Sequence, residues 1–324
     1  MINVRTDLAI EARDMYTEEN KRELDGVIVD EEKEGDIKIT TVSIESDEAG
    51  KELGKPKGNY ITIDFPEFTH YDGESMDNVS KVVDNVLTRL VNMPEEKTAL
   101  VVGLGNWNVT PDSLGPKVTE KIMVTRHLKQ VMPEAIDDSV RPVCCISPGV
   151  LGITGIETGE IIKSLVDRIK PDLVICIDAL GSRKLERVNR TIQISDTGIS
   201  PGAGVGNHRM KINEETLGVK VVAIGVPTVV HAATIANDTI DLVLDGLISK
   251  AEKGKDFYNM LKSVDKLEKS QLIKEVLDPY VGDLMVTPKD VDAVIESLAK
   301  IIANGINMAV QPNLDMEDIN KFMN

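Results

Sequence analysis

The stretch that decides the fold is VVGLGNWNVTPDSLGPKV, residues 101–118. It starts with apolar residues typical of a buried strand, turns at Gly103 and Gly105, and places Asp112 in a loop before a predicted helix. A second stretch, LVICIDALGSR (residues 173–183), has the same form, because Asp178 closes an apolar run long enough for a core strand. Each carboxylate therefore falls at the end of a predicted strand.

Apolar strands alternate with helical patterns over most of the chain beyond residue 98. This alternation predicts an α/β fold whose mixed, mostly parallel sheet is covered by helices on both faces. The segment RTIQISD (190–196) predicts a shorter strand, at a sheet edge. Helical periodicity predicts helices at residues 75–93, 113–132 and 232–250, in the charged segment 251–280, and from Thr287 and Pro288 onward.

The amino-terminal part of the chain has a different pattern. Residues 1–25 are charged and predict a loose arm with one helical turn. The segment GVIVDEEKEGDIKITTVSI (26–44) has two β-branched runs around an acidic turn, which predicts a β-hairpin. A third strand is predicted at GNYITIDFP (58–66). These strands are amino-terminal additions to the sheet, and the edges of the hairpin could pair with a neighbouring copy.

Composition excludes several function classes. The 324-residue chain carries a net charge of −17, which argues against nucleic-acid binding and against docking on anionic membranes. The first residues lack the apolar segment of a signal peptide, and no apolar run approaches the length of a membrane span. The three cysteines lie in apolar runs, as is typical of reduced thiols in a cytosol. We therefore expect a cytoplasmic protein with no membrane partner.

Asp112 and Asp178 are the sharpest candidates for chemistry. In open α/β sheets, ligands bind outside the carboxyl ends of the strands, so both acids are expected at one rim. Two neighbouring carboxylates cannot both ionise easily, so one can donate a proton while the other activates water. The same acids could instead hold a metal ion. Each acid alone could also cap a helix or accept a loop amide.

The turn and the histidines give weaker signals. Gly103 and Gly105 resemble the start of a phosphate-binding turn, or serve only a tight turn, since Asn108 replaces the third glycine of the dinucleotide motif. His208 and His231 are weak candidates for a third metal ligand at the rim. His70 and His127 are expected to be ordinary surface or core residues.

Two further features at the rim are ambiguous. Cys176 could form a nucleophilic pair with a histidine, although a thiol inside VICID is expected to face the core. The glycine-rich segment GISPGAGVGNHR (198–209) could bind an anion through its backbone amides or move over a substrate.

Seven motifs in order make the chain resemble the germination protease family (GPR endopeptidases) of spore-forming bacteria. They span nearly the whole sequence and are VRTDLAIEA, LVVGLGNWNVTPDSLGPK, PGVLGITGIETGEII, IDALGSR, RVNRTIQISDTGISPGAGVGN, IGVPTVV and DLMVTPKDVD. The resemblance implies an atypical aspartic endopeptidase that starts the degradation of small acid-soluble spore proteins during germination. It also implies a homotetramer in the forespore or spore core, with no cofactor and no bound metal.

The resemblance assigns roles to particular residues. The proposed catalytic aspartates of the family fall on Asp112 and Asp178. The family is also similar in fold to hydrogenase maturation endopeptidases, in which the corresponding acids bind nickel together with a histidine. No histidine here clearly matches that third ligand. A metal-dependent endopeptidase that uses the same two acids as ligands is the alternative reading.

The resemblance further implies a zymogen that cleaves itself at the Asp7–Leu8 bond. Residues 1–7 would then be a propeptide and residues 8–324 a single peptidase domain, with an arm and hairpin at 8–70 and a core at 98–324. The arm could be a tethered pseudo-substrate that lies in the cleft at a high effective concentration, or it could simply be a disordered terminus. Rim loops could supply oxyanion donors, for which the candidates are Gly149, Thr154, Gly155, Gly202 and Gly204.

The residues alone also allow the hypothesis that the protein is not an enzyme. The glycine-rich rim could belong to a binding module that sequesters a protein or a small anion. Such a module would keep its binding when Asp112 and Asp178 are neutralised, and it would cut no peptide bond.

Overall fold

The computed structural model describes residues 6–66, 72–91, 94, 96–200, 210–250, 272, 275–276 and 284–323. The described strands form one nine-stranded sheet in the order β1-β2-β3-β7-β8-β6-β4-β5, with β9 paired to β8. Their bounds are β1 Val27–Glu34, β2 Ile37–Ile44, β3 Gly58–Asp64, β4 Ala99–Gly103, β5 Val143–Ile146, β6 Leu173–Ser182, β7 Thr191–Ser195, β8 Lys220–His231 and β9 Met285–Val286.

The helices lie between and after these strands. Their bounds are α1 Ala9–Asn20, α2 Asp47–Leu53, α3 Gly73–Val91, α4 Leu114–Thr119, α5 Arg126–Val131, α6 Leu151–Thr154, α7 Thr158–Ile169, α8 Glu214–Leu217, α9 Ala232–Lys250, α10 Val291–Val310 and α11 Met316–Met323.

The predicted mixed α/β sheet is confirmed. Strands β5, β4, β6 and β8 pair in parallel. Strands β1, β2, β3 and β7 extend this parallel core with antiparallel pairs, so the predicted hairpin is an addition to the same sheet. The strands predicted at residues 8–70 and those predicted at 98–324 therefore share one hydrogen-bonded sheet.

Helices cover both faces of the sheet because its central strands are apolar on both sides. In β4, Ala99 and Val101 pack on the face that carries α3, α4 and α10, whereas Leu100 and Val102 pack on the face that carries α7 and α8. Helices α1 and α2 cover that second face beside β2 and β3. Runs without polar alternation are what strands buried on two faces require.

The expectation of a loose amino-terminal arm was wrong for residues 8–20. Residues 9–20 form α1, and Leu8, Ala9 and Ile10 are buried in a cluster with β2, α2 and Leu180. Three consecutive apolar residues in a charged segment gave little periodicity. Their burial depends on partners far away in the sequence, which local pattern does not reveal.

The single helix predicted at residues 113–132 is two short helices, α4 and α5. The backbone leaves the helical path between them because its amides find partners elsewhere. The Met123 amide donates to the side chain of Asn307 in α10, and the Thr125 amide donates to the carbonyl of Val143 in β5. Those bonds replace the helical ones that a continuous helix would make.

Two other boundaries differ from the sequence prediction. Strand β7 is short as predicted, but it lies in the middle of the sheet between β3 and β8 rather than at an edge. Helix α10 begins at Val291, not at Thr287. The residues directly before Thr287 pair with β8 as β9, and the Thr287 hydroxyl donates to the Thr228 carbonyl in β8. Helix α9 has the predicted bounds, and most of the segment 251–280 lies outside the described residues.

One described helix, α10, is long and apolar enough to cross a membrane, so the expectation that no segment reaches that length was wrong. About two thirds of its apolar window (67%) is buried inside the fold. It packs against α3 and α4 on one face of the sheet, as a core helix does.

Candidate functional site

Gly105 sets the position of the loop that carries Asp112. The backbone at Gly105 has φ +114, and a Cβ there would lie 2.0 Å from the Asp112 carbonyl oxygen. The Asn106 amide donates to that same oxygen at 2.9 Å. The loop after β4 therefore closes on itself, and only glycine permits so close an approach.

Gly115 brings this loop against β6. A Cβ at Gly115 would lie 2.2 Å from the Leu104 carbonyl oxygen and 2.7 Å from the Ile177 carbonyl oxygen. The Leu104 amide donates to Ile177 at 2.8 Å. Because Ile177 directly precedes Asp178, these contacts fasten the loop of Asp112 beside the strand that carries the second acid.

Asp178 sits within β6, opposite Gly225 of β8, so the expectation that it ends its strand was wrong. The strand continues to Ser182 because residues 179–182 also pair with β8. The Asp178 side chain is mostly buried, and one carboxylate oxygen accepts the Ala179 amide at 3.0 Å. Cys176, two residues earlier, is fully buried, and burial together with the charge of Asp178 raises the pKa of its thiol. That thiol stays protonated near neutral pH, so it is a poor nucleophile.

Both acids line one cleft, with a volume of about 730 Å³, at the carboxyl ends of the parallel strands. The amino-terminal arm also reaches this cleft through Asp7. Strands β7 and β8 contribute the polar residues Gln193, Ser195, Thr228 and His231. The sequence prediction that Asp112 and Asp178 fall at the same rim agrees with this placement.

The predicted oxyanion candidates are placed differently from one another. Gly149 lines the cleft, together with Val150 and with Gly152 of α6. Thr154 and Gly155 lie outside the cleft lining, where the exposed Thr154 hydroxyl accepts the Ile156 amide and Gly155 ends α6. The candidates Gly202 and Gly204 lie outside the described residues.

Two of the four histidines lie among the described residues, and one of these two is at the cleft. His231 lines the cleft at the end of β8, and His127 lies exposed on α5. His70 and His208 fall outside the described residues. Among the residues that the structure describes, no three His, Cys, Asp or Glu side chains come together as metal ligands would.

The arm is docked in the cleft by its backbone and by Asp7. The Asp7 amide donates to the Gly181 carbonyl at 3.2 Å, and the Asp7 carboxylate accepts the Gly181 amide at 2.8 Å. Gly181 lies three residues beyond Asp178 on the same strand. The segment that contains the Asp7–Leu8 bond is therefore held next to the strand of the second acid.

Glu11 fixes the other side of this segment. Its buried carboxylate accepts the amides of Arg183 and Lys184 at 2.7 and 2.9 Å, and it also accepts the Thr6 hydroxyl. Two successive amides aimed at one carboxylate form a small anion-binding nest. Helix α1 is thus tied to the end of β6 by a carboxylate that water does not reach.

Two residues that contact the Asp7 carbonyl, Lys55 and Gln193, were not among the predicted site residues. Lys55 lies in the loop between α2 and β3, and burial lowers the pKa of its side chain while Asp7 and Glu11 oppose that change. Gln193 was detectable, because it alternates with Ile192 and Ile194 in β7 and must face away from their core. Nothing local in the sequence distinguishes Lys55 from the other lysines.

The site is thus a cleft at the rim of an α/β sheet, lined by two carboxylates and by Asp7 of the amino-terminal arm. The sequence model of the germination protease family matches residues 6–256 and 245–323. The chain belongs to the germination protease family, whose members are peptidases.

Relatives named germination protease cover the whole chain. The chain is 69% identical over 325 residues to the germination protease of Clostridium perfringens and 60% identical over 323 residues to that of Clostridium tetani, with full coverage of both partners. It is 45% identical to that of Bacillus licheniformis, over 97% of this chain and 95% of the relative.

Among solved structures, the chain is similar to the [NiFe] hydrogenase maturation protease HycI from Thermococcus kodakarensis KOD1. The TM-score is 0.28 and the sequence identity is 21%, over 44% of this chain and 80% of that one. A likeness of this size supports no conclusion about function.

Proposed function

We propose that this protein is an endopeptidase that initiates the degradation of small acid-soluble spore proteins during germination, with Asp112 and Asp178 as its catalytic pair. In this proposal the chain is made as a zymogen and cleaves itself at the Asp7–Leu8 bond. The propeptide is then residues 1–7, and the peptidase domain is residues 8–324. It acts in the spore core, the cytoplasm of the forespore, as a homotetramer.

One observation carries this proposal. Asp7 and the two carboxylates line one cleft, in which Asp7 is hydrogen-bonded to the strand that carries Asp178. A peptide segment held beside two acids is the arrangement that hydrolysis of that segment requires, because reaction needs the reacting groups to be close and oriented.

In the proposed mechanism, Asp112 and Asp178 carry one proton between them. The ionised carboxylate takes a proton from a water molecule as the water oxygen bonds to the peptide carbon. The protonated carboxyl polarises the carbonyl and later gives its proton to the leaving nitrogen as the C–N bond breaks. The products are a carboxylic acid and an amine, and the pair ends with one proton as it began.

The exposed apolar surface of α9 supports a self-associating protein. Leu242 and Val243 of this helix are both more than half exposed. Exposed apolar side chains on one helix are typical of a protein–protein interface. Light scattering coupled to gel filtration should give four times the 35.5 kDa mass of one chain, and a monomer would remove this part of the proposal.

A metal-dependent endopeptidase is the second candidate, because His231 lines the same cleft as the two acids. A catalytic zinc site needs three protein ligands with an open position for water. Within the described part of the chain no such triad is assembled. The effect of EDTA on the activity therefore decides between the two candidates.

The test uses the chain lacking residues 1–7 and a small acid-soluble spore protein as substrate. We expect Asp112→Asn and Asp178→Asn each to lose about 10²- to 10⁴-fold in kcat/KM, the usual contribution of one acid–base group. Asp167→Asn is the matched control, since Asp167 pairs with Lys163 on the outer face of α7, away from the cleft.

Each outcome of this test separates the candidates. Loss in both cleft variants, with EDTA harmless, supports the carboxylate pair. Loss of activity with EDTA that added metal restores would favour the metallopeptidase. Full activity in either Asn variant removes that aspartate from the mechanism. If none of the chains, including the one without substitutions, cleaves the spore protein, the non-enzymatic binding module is the remaining hypothesis.

A further inference from the structure

The carbonyl oxygen of Asp7 lies between two side chains from different parts of the fold. Lys55 Nζ donates to it at 2.9 Å and to the Thr6 carbonyl at 3.0 Å. Gln193 Nε2 donates to the Asp7 oxygen at 3.3 Å, while Gln193 Oε1 accepts the Ala9 amide at 2.7 Å. One side chain thus carries a positive charge to the carbonyl, and the other spans the Asp7–Leu8 bond.

We propose that Lys55 and Gln193 activate and align the Asp7–Leu8 peptide bond for self-cleavage. This inference rests on the proposed self-cleavage and adds two residues to it. Lys55 stabilises the negative charge that forms on the Asp7 oxygen, and Gln193 holds the residues on both sides of the bond in register with the two acids.

The chemistry of peptide hydrolysis requires such groups. When water bonds to the Asp7 carbonyl carbon, the electron pair of the C=O double bond moves onto the oxygen. A donor already aimed at that oxygen lowers the barrier, and an ammonium does so more strongly than a neutral amide. The pair returns as the C–N bond to Leu8 breaks, and the leaving nitrogen takes the proton that the acid pair supplies.

Both side chains are held by rigid parts of the fold. The Lys55 amide donates to the Gly50 carbonyl at 2.9 Å, and a Cβ at Gly50 would lie 2.7 Å from the Lys55 carbonyl oxygen, so the loop is packed closely on α2. Gln193 belongs to a central strand, paired with Thr62 of β3 and Gly225 of β8. Groups fixed before the reaction need no reorganisation during it.

The alternative is that Lys55 only fastens the arm, since it also bonds to Thr6. The two roles differ in a measurable way. A fastener lowers the cleavage rate in proportion to the fraction of docked arm, whereas a catalytic donor lowers the rate of the docked complex itself. Hydrogen exchange of the Asp7 and Ala9 amides, in a background of Asp112→Asn that does not cut, measures the docked fraction.

The experiment follows first-order self-cleavage of the full-length chain by mass spectrometry of the fragment that begins at Leu8. We expect Lys55→Met to slow cleavage by about 100-fold, the usual cost of removing one oxyanion donor, and Gln193→Met by about 10-fold. Lys55→Arg keeps a charged donor and should recover part of the rate. Lys121→Met, which loses only an ion pair with Glu296 outside the cleft, should stay within about twofold of wild type.

The pH profile of the cleavage rate, divided by the docked fraction of the arm at each pH, gives a readout that a fastener would not change. Burial lowers the pKa of Lys55, and the charges that oppose this are those of Asp7 and Glu11. The wild-type rate should fall on the alkaline side as Lys55 loses its proton, and Lys55→Met should lack that limb.

Three results would overturn the inference. If the wild-type chain cuts at Asp7–Leu8 and Lys55→Met cuts at the same rate, this inference is wrong and the proposed function is unaffected. A rate loss that matches the loss of docked arm reduces Lys55 to a fastener. A wild-type chain that never cuts the Asp7–Leu8 bond overturns both this inference and the proposed self-cleavage.

Discussion

Gly105→Ala should abolish most of the activity while leaving the protein folded. A Cβ at this position would lie 2.0 Å from the Asp112 carbonyl oxygen, although real Cβ contacts do not fall below 3.0 Å. The backbone of Asp112 must therefore withdraw by about 1 Å, a displacement that can cost about 100-fold in rate. That loss corresponds to about 2.7 kcal/mol in the activation free energy.

The matched control is Gly218→Ala. Gly218 has φ +73 at the end of α8, where an added Cβ would meet nothing within 4 Å. Both substitutions impose an unfavourable positive φ on alanine, at a cost of about 1–2 kcal/mol in stability. Only Gly105→Ala also displaces an acid, so the difference between the two variants isolates the position of Asp112.

The assay measures kcat/KM of the chain lacking residues 1–7 on a small acid-soluble spore protein, with urea unfolding of the same samples. We expect Gly218→Ala to be less stable than wild type and fully active. Gly105→Ala should lose about 100-fold in kcat/KM and unfold at a lower urea concentration than Gly218→Ala, still in one cooperative transition. Wild-type kcat/KM in Gly105→Ala would refute the reasoning, because the carboxylate of Asp112 would then not need its present position.

Three further outcomes are expected. Burial raises the pKa of Tyr60 from 10.0 to about 12. The protonated phenol therefore stabilises the fold fully below pH 10, and this contribution is lost as the pH rises through about 12. Over that range, urea unfolding should show that wild type loses roughly 3 kcal/mol more in the free energy of unfolding than Tyr60→Phe. Asn307→Leu removes the partners of the buried Met123 amide and of the partly buried Lys121 carbonyl, and it should lower the free energy of unfolding by about 2–4 kcal/mol in urea; an unchanged midpoint would contradict this. Glu11→Gln puts a donor where a carboxylate oxygen accepts the Arg183 amide, so hydrogen exchange at residues 8–10 should accelerate, and wild-type protection would show that the nest does not hold the arm.

The parallel core could be predicted from the sequence because its signals are local. Apolar runs without alternation mark β4, β6 and β8, and the glycine turn before Asp112 marks the end of β4. The rule that ligands bind at the carboxyl ends of parallel strands then brings Asp112 and Asp178 to one rim. Both steps use only neighbouring residues and a general rule of topology.

The remaining features depend on contacts between distant residues. The break between α4 and α5 comes from Asn307, which lies more than 180 positions away, and the burial of Glu11 comes from the amides of Arg183 and Lys184. The role of Lys55 is visible only when the arm and the loop before β3 are seen together. No local periodicity encodes such pairs, so neither the docked arm nor the contact of Lys55 could be predicted from the sequence.

The burial of Leu8 means that a cut at the Asp7–Leu8 bond would change the titration of the whole protein. The Leu8 amide donates to the Thr6 hydroxyl oxygen at 3.1 Å, and that hydroxyl donates to Glu11. Hydrolysis would remove Thr6 and create an α-amino group beside a carboxylate that has lost its hydroxyl partner. An α-amino group has an ordinary pKa of about 7.7–8.0, so processing would couple folding stability to protons near neutral pH through a site that the uncut chain lacks.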